Sequence, residues 1–220
     1  LSIFQQDGVT MDDEQNPFFN KKITIRKPGS GFVNTLQFFA ILLIVLVVGY
    51  IFVVTPNQVD GLSMFPTFNN DEILLTNRIP QWIGTTSFGA QWDYQRGDIV
   101  IMKLPNHDKE IVKRVIGIPG DTIELVDGRV VRNGEVISES YLTPELYTDY
   151  GDLLIEGAGL TVAPGNLLVM GDNRTGSNSL DSRFIELGPV ERQYIIGKVI
   201  ARIWPLENFQ LIGRGVSSPE

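Results

Sequence analysis

The run from Phe38 to Val54, FFAILLIVLVVGYIFVV, contains no charged residue. With Phe32, Val33 and Leu36 ahead of it, the stretch reaches the roughly 20 apolar residues that a helix needs to cross a bilayer. It is longer than the roughly 7–15 residues of a signal-peptide core. The residues that follow, Thr55-Pro56-Asn57-Gln58, offer no small-x-small cleavage site either. A retained transmembrane helix over residues 35–54 is therefore expected, the bland alternative being a buried core helix. Lys21, Lys22, Arg26 and Lys27 precede it and few basic residues follow closely. The positive-inside rule then puts the N-terminus in the cytoplasm and the larger C-terminal part outside, in a single pass. Residues 1–34 read as a cytoplasmic tail. Its first 20 positions are polar, carry Asp12, Asp13 and Glu14, and are expected to be disordered.

What remains of the 220 residues, positions 55–220, is enough for one domain with a real core and too little for two large ones. The chain has no cysteine, which excludes disulfides, thiolate metal sites and a cysteine nucleophile. Its net charge of −8 argues against a nucleic-acid partner, which usually meets a basic face.

Beyond residue 55 no long segment repeats with the helical period. Short β-branched runs bounded by turn residues predict strands at 98–103, 111–117, 122–126, 129–132, 167–170 and 195–203. Asp127-Gly128 and Asn133-Gly134 are hairpin turns by composition, and LPNHDKE at 104–110 is a polar turn between two apolar strands. The expected fold is all-β, mainly antiparallel sheets, with residues 127–162 a hairpin-rich insertion. The stretch 79–94 holds Trp82, Phe88, Trp92 and Tyr94, which suit a bilayer interface or simply a cover for the sheet.

The residue inventory narrows the chemistry. One histidine, His107, sits in the polar turn beside Asp108, so a three-histidine metal site is impossible and a Ser-His-Asp triad has poor material. Serine or threonine activated by lysine remains, as does a carboxylate pair. A lysine base must lose much of its basicity, which burial among apolar groups can bring about. In Ile111-Val112-Lys113-Arg114-Val115, alternation places Lys113 with Ile111 and Val115 on one face and Arg114 on the other. Lys113 is thus a cation between β-branched residues, unless it is an edge-strand lysine on a wetted face. Ser63 lies in Gly61-Leu62-Ser63-Met64-Phe65-Pro66, a short loop stiffened by Pro66 that can offer a hydroxyl and backbone N–H groups to an oxyanion. It follows Val54 by nine residues, which keeps it within roughly 30 Å of the helix end. A third cluster, GDNRTGSNSLDSR at 171–183, could fix its own loop through ion pairs among Asp172, Arg174, Asp181 and Arg183.

Four segments in order, GLSMFPTF at 61–68, RGDIVIMKLP at 96–105, IVKRVIGIPGDTIEL at 111–125 and GDNRTGSNSLDSR at 171–183, follow the apolar run. Their wording and order resemble the type I signal peptidases, membrane-bound Ser-Lys proteases that remove signal peptides from exported proteins. The resemblance covers roughly residues 35–205. It implies Ser63 as nucleophile and Lys113 as general base, acting through an acyl-enzyme with no metal or cofactor. It implies supporting roles for Asp181, Arg183 and Arg114, and for a serine hydrogen-bonded to the lysine. An insertion of two residues relative to the family pattern leaves Ser179 or Ser177 for that serine, with Ser179 keeping the spacing to Asp181 and Arg183. The oxyanion would meet the Ser63 N–H. Where some members carry a hydroxyl two residues earlier, this chain has Gly61, so a backbone or water donor must substitute at that side of the oxyanion, and Met64 is expected to line the substrate pocket.

The partners so implied are signal-peptide-bearing preproteins cut after a small-x-small site, the bilayer, and a secretion translocon. Three other readings compete: a membrane-tethered β-domain that binds exported chains without cutting them, a relative of the self-cleaving repressors, and an aspartic protease built from Asp98, Asp172 or Asp181. An Oγ–Nζ distance and the burial of Lys113 separate the first from an enzyme.

Overall fold

The computed structural model describes residues 30–87, 89–90, 93–105, 107–143, 146–175 and 179–217. The N-terminal tail with its lysines, Phe88, Trp92 and Ser177 lie outside the described residues.

Helix α1 runs from Ser30 to Val53. It starts earlier than expected, because no charge or proline interrupts residues 30–53. Its 24 residues correspond to about 36 Å, enough to cross a hydrocarbon layer of about 30 Å. Apolar side chains from Val33 to Tyr50 stand exposed along it. The helix stops at Val53, just before Thr55, whose place ahead of Pro56 disfavours helical backbone. The chain divides into two units between Ile44 and Val45, within α1, and all the strands belong to the second unit.

Among the described residues the named strands pair antiparallel, and one isolated parallel bridge joins Leu125 to Glu156. An eight-stranded sheet contains β1 (Val54–Gln58), β2 (Ile73–Asn77), β3 (Ile99–Met102) and β4 (Ile111–Gly117). A smaller, four-stranded sheet is made by β5 (Thr122–Val126), β6 (Arg129–Arg132), β7 (Glu135–Val136) and β9 (Leu160–Thr161). β8 (Ser138–Glu139) pairs instead with β14 (Val216–Ser217). The large sheet is completed by β10 (Asn166–Met170), β11 (Val190–Glu191), β12 (Ile195–Trp204) and β13 (Gln210–Leu211). Its order is β1-β2-β12-β3-β4-β10-β11, with β13 added to β12.

The expected strands at 111–117, 122–126 and 129–132 have the same bounds in the structure. The two hairpin turns hold as well: Asp127, Gly128, Asn133 and Gly134 all have positive φ, as the two-residue hairpin turn demands. The small sheet takes in β5 besides the expected insertion. β1 and β2 went unread. β1 carries Pro56 at a sheet edge, where no ladder hydrogen bond is lost. A short helix, α2 (Ile79–Ile83), opens the aromatic stretch; Trp82 is exposed under the Arg78 guanidinium, while Tyr94 is buried.

Both faces of the large sheet are covered. Ile99, Ile101 and Val112 pack with Val59, Met64 and Phe68. The alternate residues Val100, Met102 and Val115 pack with Tyr94, Val169 and Ile195. A third cluster joins Ile116, Leu168 and Met170 to Ile123, Leu125 and Val130 of the small sheet. Central strands buried on both faces read as continuous apolar runs, so a charged residue inside one must find its partner within the protein.

Candidate active site

The loop between β1 and β2 is closed by Val59 N–H donating to the Glu72 carbonyl (2.8 Å) and Asp71 N–H to the Val59 carbonyl (2.9 Å). Inside it, turns from Phe65 N–H to the Leu62 carbonyl and from Phe68 N–H to the Met64 carbonyl bury Met64 and Phe68 in the core. Ser63, between exposed Leu62 and buried Met64, is left half-buried. On β4, Lys113 is opposite Val100 of β3, and pairing with β10 begins one residue later, at Arg114 opposite Met170.

These two elements meet. Lys113 Nζ lies 2.7 Å from Ser63 Oγ, with 3.0 Å to the Val112 carbonyl. The lysine is 1% exposed, which removes the wetted edge-strand alternative. Burial lowers its pKa from 10.5 to about 8, against the pull of Asp181 and Asp172 and with help from Arg183. A neutral amine, which can take a proton, is therefore a minority species at pH 7 and the main one above pH 8.

The segment after β10 supports both residues. Asn173 N–H donates to the Ser63 carbonyl (3.0 Å) and its side-chain amide to the Leu62 carbonyl (3.1 Å), clamping the loop on either side of the hydroxyl. Gly171 N–H donates to Asp181 Oδ2 at 2.9 Å. A Cβ on Gly171 would come within 2.1 Å of Ser179 Oγ and 2.4 Å of the Ser63 carbonyl, so only glycine permits this approach. Asp181 accepts from Ser179 Oγ (2.8 Å) and from the Arg183 guanidinium (2.9 and 3.0 Å).

The expected local network of four charges is half right. Asp181 and Arg183 do pair within the loop, both fully buried. Asp172 instead reaches Arg114 on β4, in a bidentate pair at 2.9 and 2.6 Å, and accepts from Thr67 Oγ1 at 2.5 Å. Arg174 reaches Glu139 and the Tyr141 hydroxyl, and Tyr141 in turn lies under Arg114 at 3.7 Å. Glu139 and Tyr141 lie in no motif segment, and Thr67 lies in one without any pattern that gives it this role. Their roles depend on which strands become neighbours.

Three expectations need adjusting. Ser179 gives its proton to Asp181, and no hydrogen bond joins it to Lys113. The charge-assisted bond to the Asp181 carboxylate fixes the direction of the Ser179 O–H and leaves its lone pairs free to accept. Met64, 1% exposed, packs into the core because the turn folds it inward. The Gly61 N–H is already committed to Asn70 Oδ1 at 2.7 Å. The Ser63 N–H, in contrast, donates to no described residue and is available to an oxyanion. His107 makes no hydrogen bond to Ser63 or Lys113, and its Nδ1 has no partner among the described residues.

A serine hydroxyl held against a buried lysine amine, without histidine, is the arrangement of serine hydrolases that use lysine as base. The comparisons with known proteins agree with that class. The model of the family described as signal peptidase, peptidase S26, matches residues 32–204, and the chain belongs to that family. It is a serine endopeptidase. It is 38% identical over 148 residues to signal peptidase I S of Bacillus subtilis (strain 168), covering 66% of this chain and 73% of that one. Signal peptidase I P of Bacillus subtilis subsp. natto is 32% identical over 188 residues, covering 84% and 96%. A solved signal peptidase I from Enterococcus faecalis is 29% identical, with a TM-score of 0.39, and covers 48% of this chain and 96% of that one.

Proposed function

We propose that this chain removes N-terminal signal peptides from exported preproteins after a small-x-small site, with Ser63 as nucleophile and Lys113 as general base. The observation that carries the reading is the 2.7 Å contact between Ser63 Oγ and a lysine 1% exposed. Neutral Lys113 takes the Ser63 proton as Oγ attacks the scissile carbonyl. The oxyanion gathers on the Ser63 N–H, and the lysine then gives its proton to the leaving amine. Water, deprotonated by the same amine, resolves the acyl-enzyme.

The substrate binds extended, as an added strand. On the β10 side, Ile111–Lys113 has no strand partner among the described residues, and β1 ends the sheet. Asn57 Nδ2 donates to Glu110 Oε2 at 2.7 Å and Lys109 pairs with Asp60, so the segments leading to Ser63 and to Lys113 run side by side. A cavity of about 510 Å³ lies along them, lined in part by Gln58, Asp60, Lys109 and Glu110.

Detergent-solubilised protein is expected to cut a signal-peptide-bearing precursor at one bond, identified by mass spectrometry of both products. kcat/KM should rise about tenfold per pH unit below pH 8 and level off above it, because only the neutral amine is a base. A flat profile from pH 5 to 9, or cleavage unrelated to the signal-peptide boundary, would sink this assignment.

The domains and topology follow the same reading. Residues 1–34 form a cytoplasmic tail and α1 anchors the chain. Residues 55–220 form the extracytoplasmic peptidase domain, within reach of a secretion translocon. Protease added to sealed membranes of known sidedness should digest the β-domain only from the outer face. Digestion from the cytoplasmic face would reverse the topology.

A further inference from the structure

A second cavity, of about 490 Å³, has nothing to do with the Ser63–Lys113 pair. Its lining includes Tyr94, Arg96, Arg132 and Arg214, with Asp93 as a carboxylate on the wall. Arg96 forks onto Asp121 at 2.8 and 2.6 Å. Arg214 donates to Asp98, which Lys198 also contacts, and Asp93 is held by Arg192. Three arginines and one aspartate thus line the cavity, and of these Arg96, Arg214 and Asp93 each have an ion-pair partner.

Two groups on the wall are left unanswered. Arg132 is 6% exposed, and its one hydrogen bond is a long 3.5 Å contact to the Ile116 carbonyl. No carboxylate among the described residues pairs with it. Asp121 and Glu139 act on it only from beyond pairing distance, and a guanidinium cannot shed its proton, so burying it without a direct partner is costly. Tyr94 is 4% exposed, and its hydroxyl has no partner among the described residues. Burial pushes that phenol well above its ordinary pKa, so it stays a neutral donor. The cavity therefore has a spare cation and a spare O–H, while its one lining carboxylate, Asp93, is already paired with Arg192.

We propose that this cavity binds a phosphate group, with the Arg132 fork and the Tyr94 hydroxyl as its donors and Arg96 and Arg214 supplying the surrounding field. Several donors converging from different sides suit the oxygens of a phosphate better than the two of a carboxylate. Bare phosphate fills only a fraction of the space, so the natural ligand carries an organic group, on a soluble phosphate ester or a lipid headgroup.

The test is a thermal-shift titration of the detergent-solubilised full chain with inorganic phosphate, against sodium chloride at equal ionic strength. Phosphate should stabilise saturably in the millimolar range and chloride should not. Arg132→Gln should weaken the apparent affinity by about tenfold or more, and Tyr94→Phe by a smaller factor, with precursor cleavage unchanged in both. Vesicles with and without phosphatidylglycerol separate the sources. Competition with phosphate assigns the headgroup and its absence assigns a soluble ester, either agreeing with the site. Saturation by acetate but not phosphate, no saturable effect at all, or wild-type curves in both variants would overturn it. Tyr94→Phe keeps the test decisive if Arg132→Gln does not fold.

Discussion

Ser63→Ala and Lys113→Met are each expected to lower kcat on a precursor by about 10⁴-fold or more, and the double variant no further than the worse single one. In the proposed mechanism the two side chains act as one unit across the 2.7 Å contact, so removing either would end the proton transfer. Methionine roughly preserves the volume of the buried lysine, so the loss reports chemistry more than a cavity. Stability should move the other way. The Lys113 pKa is held at about 8 in the fold, against 10.5 free, so at pH 7 the unfolded chain binds its proton far more readily. The sign follows. Between about pH 8 and 10.5 the unfolded state carries the extra proton, so stability rises with pH there, and below pH 8 the full penalty of roughly 3 kcal/mol stands. Replacing the amine relieves that penalty but forfeits its contacts to Ser63 and Val112. Lys113→Met should therefore melt at or above the wild-type temperature at pH 7 while being inactive. Near-wild-type turnover in either single variant would refute the dyad. Inactivity with a collapsed melting temperature would assign Lys113 to the scaffold instead.

Much of this was legible in the chain, for identifiable reasons. β4 to β6 were read to the residue because β-branched runs end at Asp-Gly and Asn-Gly turns, which fix the hairpin locally. The Ser63–Lys113 pair followed from elimination and resemblance. Alternation alone could not have settled it, because β4 is buried almost throughout and has no wet face to contrast with. What escaped was non-local. Ser179 and Asp181 were both named, yet the carboxylate's claim on the hydroxyl depends on Gly171 letting two loops approach. Met64 looked like pocket material by adjacency to Ser63, and one tight turn carries it into the core. β1 was hidden by its proline and by the apolar helix it continues.

The largest stability effect is expected from the buried pair that joins two of the four motif segments, Arg114 and Asp172. Their side chains are 2% and 0% exposed, and the pair is extended by Thr67 and by the Tyr141 ring. Asp172→Ala would leave Arg114 charged and buried with the Gly97 carbonyl and the Tyr141 ring to meet it and no carboxylate. Stranding a buried charge costs about 3–5 kcal/mol, or on the order of 10 °C in melting temperature for a domain of this size. Activity should fall too, since Asp172 lies between Gly171 and Asn173, and Asn173 holds the Ser63 carbonyl. The partner variant, Arg114→Met, should be damaging for the complementary reason. Combining it with Asp172→Leu should be milder than either alone, because no charge is then left unmatched. Thermal melts of the two single variants and the double close the cycle. Additive losses would mean that the two residues are independent packing elements. A strongly favourable coupling would mean that the ion pair itself fastens the Ser63 loop, through Thr67 and Asn173, to the strand that carries Lys113.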